Sequence, residues 1–418
     1  MKKKRKLCFL GLFALLLLPL ARVQAADNTR YLIKSNSQFW KKTFNARHEF
    51  KDVFTADLND WQVRFGKILG VSIEPVGILQ VLPASPDPLR QSDIEAKLKR
   101  GEPVLPEEDI KTPKVNSKTR PLPTDQISWG IKSVYNSSEI TKTSGGKGVK
   151  VAVIDTGAMV SHPDLKSRIA KCQDFTNLRY PVVNGKCEDK NGHGTHVAGI
   201  IVADGGIDGL GIYGMAPAAV LYALKACSPN GTCYADDVAA AIKNATDDEV
   251  NIINLSLGSD RPSSLIDEAV DYAVSNGVLV VAAAGNDGPY PESIDYPAAK
   301  SSVVAVGAFD ANFKITDWSS RGINSQTIPL IVEEKDIELA APGVGIESTW
   351  NNGGYAVLSG TSMASPFVAG LAAKLWPNFA LEASPAQAVR EFLHKSALDI
   401  DKPGEDDASG FGFARVQP

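Results

Sequence analysis

The sequence predicts an α/β protein: a three-layer domain over residues 125–418, built on a parallel central sheet, with a small α+β domain ahead of it. Three observations predict this. Short apolar runs alternate with helical stretches from about residue 149 onward, as strands buried on both faces of a parallel sheet require. Residues able to do chemistry follow several of these runs directly, and such sheets bind ligands beyond the carboxyl ends of their strands. Composition also breaks between residues 83 and 124, where Pro83, Pro86, Pro88, Pro103, Pro106, Pro113, Pro121 and Pro123 recur among charges, as in an exposed linker.

Taken in order, residues 1–25 read as a signal peptide. Lys2 to Lys6 form a basic head, Leu7 to Leu20 an apolar run, and Val23-Gln24-Ala25 a cleavage site. The apolar run of 14 residues is too short to span about 30 Å of hydrocarbon. No later segment is apolar enough to cross a membrane, so the mature chain is expected outside the cell. Residues 26–83 read as the small mixed domain. Tyr31 to Ile33 and Gly77 to Val81 are its strand candidates. A helix is expected over Asp57 to Leu69, with Trp61, Phe65 and Leu69 along one face and Gly66 as a discordant residue. Residues 84–124 form the linker.

In residues 125–418 the expected strands are Val149 to Ile154, Val220 to Leu224, Val250 to Leu255, Val278 to Ala284 and Val303 to Val306. A helix over Ser264 to Asn276 has a Ser264…Asp267 spacing like a capping box and a stop at Gly277. Ser384-Pro385 predicts another helix start. Residues 122–418 hold 22 basic and 35 acidic side chains, which argues against nucleic acid as a partner. Hydrophobic residues make up 44% of the chain, enough for a sizeable core. Four cysteines remain beyond the signal peptide, an even number that suits disulfides in an exported protein. Of the three possible pairings, Cys172–Cys187 and Cys227–Cys233 are favoured because each closes a local loop. No CxxC spacing suggests zinc.

Four short motifs carry candidate chemistry. Asp155 follows a strand in Val-Ile-Asp-Thr-Gly; alone it would read as a helix cap. His193 lies between Gly192 and Gly194 at an expected helix start. His196 follows three residues later, but the zinc-protease pattern needs histidines at i and i+4 with a glutamate between, so His196 reads as packing. Ser362 lies in Gly-Thr-Ser-Met-Ala-Ser-Pro ahead of an apolar helical stretch, and a serine needs a base to become a nucleophile. Asn286 follows Ala-Ala-Ala-Gly past another strand, where its amide could donate to an oxyanion or merely turn the chain.

In the order Asp, His, Asn, Ser, these motifs resemble the subtilisin family of serine proteases. The resemblance covers roughly residues 125–418. It extends to Ser161-His162-Pro163-Asp164-Leu165, Ser256-Leu257-Gly258 and Gly410-Phe411-Gly412. It implies a subtilisin-like fold and a serine endopeptidase with no cofactor for its chemistry. It also implies that residues 26–83 are a propeptide, acting as chaperone and inhibitor and removed by self-processing. Ser256, Leu257 and Gly258 would pair with extended or unfolded substrate on one side, and the segment around Gly231 would flank the other. Asp295, just before Tyr296-Pro297, would lie at the base of the primary specificity pocket, with Asp287 lining it; two carboxylates there would favour Lys or Arg before the scissile bond. The linker holds matching sites at Lys111, Lys114 and Lys118. The resemblance further implies a structural calcium, with Asp164, Asp125 or Gln126, and the segment Asp204 to Ile212, including Asp208, as candidate ligands. A monomer is expected. Two insertions, one between Asp155 and His193 carrying Cys172 and Cys187 and one at about Ile323 to Lys335, depart from the pattern without removing a catalytic candidate. The rival reading from another class is a catalytically silent exported binding protein, which would lack a member of this constellation.

Overall fold

The computed structural model describes residues 29–82, 122–324 and 331–416. The expected signal peptide and residues 84–121 of the expected linker lie outside the described residues.

Two compact units divide the chain after Pro75. In the first, β1 (Thr29–Lys34) pairs antiparallel with both β2 (Val53–Leu58) and β3 (Ser72–Pro75). Helices α1 (Gln38–Phe44) and α2 (Asp60–Ile68) complete it, around a core that includes Ile33, Phe44, Phe54, Leu58 and Ile73. Helix α2 starts three residues later than the sequence predicts. Asn59 and Gln62 form a capping box there, and Asp57 is drawn into β2. Trp61 and Phe65 do share a face, their rings stacked at 5.1 Å, but Trp61 and Leu69 are exposed, while Gly66 is buried. A Cβ at Gly66 would stand 2.5 Å from Ile73 Cδ1, so the glycine permits the contact rather than weakening the helix to no purpose.

The second unit begins with β4 (Ile78–Val81), a segment expected from sequence in the small domain. There follow α3 (Trp129–Val134), β5 (Lys150–Asp155), β6 (Ile169–Asp174), β7 (Val183–Asn184), α4 (His193–Val202), β8 (Val220–Lys225), β9 (Thr232–Tyr234) and α5 (Ala235–Asp247). Next come β10 (Ile252–Leu255), β11 (Leu257–Gly258), α6 (Ser264–Ser275), β12 (Leu279–Ala283), β13 (Val304–Phe309) and β14 (Leu339–Pro342). The chain continues through β15 (Ile346–Thr349), β16 (Tyr355–Leu358), α7 (Thr361–Leu375), α8 (Pro385–Lys395), β17 (Ala397–Leu398) and β18 (Phe413–Ala414). The main sheet runs β17-β18-β14-β13-β12-β10-β5-β8-β6-β7 and is parallel except at its two outermost pairs.

The layers follow from strand alternation. Val151 and Val153 of β5, Ile252 of β10, Leu279 and Val281 of β12 and Val304 and Val306 of β13 share a core with α4 and α7. Their sequence neighbours Ala152, Ile154, Ile253, Val280 and Ala282 are equally buried and point to the opposite face. Helices α5 and α6 pack on each other and against β5 and β12, respectively. Both faces are covered, so the strands read as continuous apolar runs. Helix α6 ends at Gly277, whose φ of 77° suits its place after the helix. The expected Ser264…Asp267 box does not form: Ser263 is the cap residue, which puts Asp267 one position out of register. Ser384-Pro385 does open α8.

Candidate active site

Three strand ends and two helix starts converge at the carboxyl edge of the sheet. Asp155 ends β5 and is 1% exposed. Each of its oxygens lies 2.9 Å from His193 Nδ1, and Oδ1 also accepts from the Thr156 amide at 2.6 Å. Burial alone would lower the His193 pKa, but the charge and hydrogen bond of Asp155, aided by the charge of Asp189, outweigh it and hold the ring above its ordinary value. The flanking glycines allow this approach. A Cβ at Gly194 would stand 2.2 Å from the Gly157 carbonyl, and one at Gly192 2.4 Å from the Trp350 ring.

Ser362 is the second residue of α7. Its Oγ lies 3.2 Å from the Leu82 carbonyl and 3.1 Å from the Ser256 carbonyl. It makes no bond to His193, whose Nε2 is buried without a hydrogen-bond partner. Pro366 lies one turn further along α7 and has no N–H to offer the Ser362 carbonyl. Ser256 Oγ supplies that bond instead, at 2.9 Å, and a buried network of Asn254 and Ser365 steadies it. Asn286 turns its Oδ1 to the Thr361 amide and hydroxyl, both at 3.0 Å, which fixes the orientation of its side-chain amide at the start of α7.

The cleft between β9 and β11 holds the chain's own residues 78–81. Strand β4 lies between them, antiparallel to both. Leu257 faces Val81 and Gly258 faces Gln80, while the Val81 amide donates to Gly231 O at 2.9 Å. One residue on, the Leu82 amide reaches Ser256 O at 3.5 Å and its carbonyl lies on Ser362. The segment therefore lies as an extended peptide would, with Leu82 at the reacting position.

Beside this position Asp295 is 2% exposed and lodged between two glycines: a Cβ at Gly258 or Gly285 would stand 2.8 or 2.9 Å from it. Burial, then the charges of Asp287 and Asp260, hold its carboxyl well above the usual range. Burial and Asp260 push Asp287 up to about 6.

A profile of the Subtilase family matches residues 146–412. The chain belongs to the subtilase family. It is similar to a subtilisin of Bacillus sp. (strain TA39), 47% identical over 306 residues that make up 69% of this chain and 72% of that one. Subtilisin Savinase of Lederbergia lenta is 40% identical over 59% of this chain and 83% of its own. Among solved structures, Sphericase superposes with a TM-score of 0.68 at 47% identity, over 70% of this chain and 99% of its own. S41 Psychrophilic Protease gives 0.66, also at 47%, over 69% and 98%. This subtilase is a serine endopeptidase acting on peptide substrates, with the three-layer α/β fold of its relatives.

In the subtilase the expected disulfides are both formed, with Cα separations of 5.2 Å for Cys172–Cys187 and 4.2 Å for Cys227–Cys233. His196 packs as expected: its Nε2 meets the Ile346 and Ala356 carbonyls, and burial lowers its pKa to about 3. The expected calcium ligands are only partly brought together. The Asp125 carboxylate is bound to Lys132 at 2.6 Å, and Asp204 to Arg168 at 3.1 Å and Ser167. Asp208 accepts from Leu210 N within its own loop. Gln126, however, sets its side-chain amide 2.6 Å from Gly209 O and 3.0 Å from Gly211 O, and Asp164 accepts from the next amide, Ile212, at 2.9 Å. Oxygen atoms from Gln126, that loop and Asp164 are the donors that fit a hard cation, once the amide is turned to present its oxygen.

Two supporting residues escape sequence reasoning. Asp189 accepts from the Asn191 and Gly192 amides through one oxygen and from the Thr195 amide and hydroxyl through the other, pinning the start of the His193 helix. Its local sequence, Cys-Glu-Asp-Lys-Asn-Gly, suggests only a turn. Lys225 is buried and donates to the Thr156 and Cys227 carbonyls at 2.6 and 2.9 Å, holding the loop after Asp155. In sequence its signal was a lysine directly after the apolar run Val220 to Leu224; the structure sets it opposite Asp155 in the sheet register.

Proposed function

We propose that this subtilase is exported as an inhibited precursor and that Asp155, His193, Ser362 and Asn286 carry its chemistry. Ser362 attacks the peptide carbonyl, His193 takes its proton and later gives it to the leaving amine, and Asp155 fixes the ring tautomer and stabilises the imidazolium. Asn286 and the Ser362 amide receive the oxyanion. Residues 1–25 direct export, and residues 26–83 act as chaperone and inhibitor. The mature enzyme is a monomer that accepts extended or unfolded chains, because folded ones have their backbone groups already paired.

The observation that carries this reading is the Leu82 carbonyl lying 3.2 Å from Ser362 Oγ, at the end of a strand held by β9 and β11. The residue that follows Leu82 in sequence is Pro83. Proline nitrogen carries no hydrogen, and its ring carbon replaces that hydrogen beside the site where the histidine must deliver a proton. The segment therefore binds as a substrate while its next bond resists hydrolysis, and maturation falls further along the linker, with Lys111, Lys114 and Lys118 as candidate sites. Asp295 and Asp287 give the specificity pocket a preference for Lys or Arg.

An active-site serine probe tests the catalytic assignment. Folded, mature enzyme labels at Ser362; folded protein that stays unlabelled would restore the silent binding protein. A structural calcium held by Gln126, Asp164 and the 209–212 loop is tested by chelation, which lowers the melting temperature by several degrees; an unchanged melting curve removes it.

A further inference from the structure

The subtilase's pocket holds a third carboxylate that the specificity reading does not use. Ser259 is tied to Tyr296 by two backbone bonds of 3.0 and 2.9 Å, and this brings the next residue, Asp260, to the mouth of the pocket. Carboxylate oxygens of Asp260, Asp287 and Asp295 lie within 4.8 Å of one another, in a series from exposed through half-buried to buried. At the inner end, Asp295 Oδ1 is buried with no hydrogen-bond partner. Three acids this close, one of them buried and unsatisfied, are incomplete without a proton or a cation.

The charged groups around the trio do not complete it. Arg261 follows Asp260 on the same loop and forms no ion pair with any of the three among the described residues. Arg321 spends its guanidinium on the Ser319 and Thr316 carbonyls. Glu292 is paired with Lys335 at 3.0 Å. Tyr296 contributes the backbone bonds to Ser259.

We propose that Asp260 is a third specificity-determining residue, completing with Asp287 and Asp295 an anionic well for the ammonium or guanidinium of the residue before the scissile bond. This rests on the basic-pocket reading above and extends it. The well lies beside a position now taken by Leu82, an apolar side chain that is 5% exposed. A neutral, protonated well tolerates leucine; an ionised one favours a cation. With Asp287 pushed up to about 6 and Asp295 held well above the usual carboxylate range by burial, the change sets in above the pH at which ordinary carboxylates ionise. The pocket therefore exchanges its apolar preference for a basic one as pH rises.

The test uses mature enzyme and two chromogenic peptides identical except for Lys or Leu before the cut. The ratio of their kcat/KM values is followed from pH 5 to 9. Protonation of His193 affects both substrates and cancels in the ratio. The wild-type ratio rises about tenfold or more with pH. Asp260→Asn, an exposed and nearly isosteric change, lowers the ratio severalfold at pH 8 and moves its midpoint to lower pH, because the remaining acids lose a like-charged neighbour. A Lys preference that Asp260→Asn leaves untouched overturns the role of Asp260 alone. A preference for Leu at every pH, unchanged in Asp295→Ala, overturns the basic-pocket reading as well. A ratio that collapses in millimolar calcium and recovers with chelator assigns the trio to a divalent cation and overturns the proposal.

Discussion

Ser362→Ala precursor, expressed in a host free of other proteases, accumulates with its propeptide attached. The substitution removes the nucleophile while leaving its surroundings in place, since the Ser256 Oγ bond goes to the Ser362 backbone carbonyl and not to its hydroxyl. The variant therefore folds. Its activity falls by about 10⁶-fold, the size of the loss that the same deletion causes in subtilisin itself. Intact-mass measurement of the purified variant against wild type checks the retained propeptide, and turnover of a chromogenic peptide checks the loss of activity. Efficient maturation of the alanine variant would show that another enzyme does the processing.

Pro83→Ala moves the first cut. In wild type, the chain cleaved first is one whose new N-terminus lies beyond residue 83, because the bond after Leu82 leads to a ring nitrogen that the catalytic histidine protonates poorly. Alanine restores an ordinary secondary amide, and the Leu82 carbonyl is already at Ser362 Oγ. Cleavage between residues 82 and 83 then becomes the fast event, and termini beginning at residue 83 appear ahead of those from the linker. N-terminal mass mapping over a time course distinguishes the two. Wild-type precursor cut first after Leu82 would show that proline is no barrier here. If Ser362→Ala matures normally, the self-processing reading has failed instead.

Much of this protein is local and so could be read in order along the chain. Each central strand is a continuous apolar run, because both faces of a parallel sheet are buried, and each run ends where polar residues can survive only if they find partners. Asp155, His193, Asn286 and Ser362 stand out for that reason, each with a glycine within two residues. The two disulfides close loops of 15 and 6 residues, short enough for sequence to favour them. Tertiary structure decided what depends on distant partners. Only packing against Phe44 and Ile73 makes Gly66 the buried point of its helix. Gln126 meets a loop 83 residues away, and Asp125 and Asp204 are claimed by cations that no spacing rule announces. Asp260 joins Asp295 only because Ser259 pairs with Tyr296. Leu82 reaches Ser362 across 280 residues, because a strand from ahead of the linker fills the gap between β9 and β11. Periodicity fixes which way a side chain faces along its own element; which distant element it meets is set by the closing of the fold, and that is where this site acquires its plug, its third carboxylate and its supports.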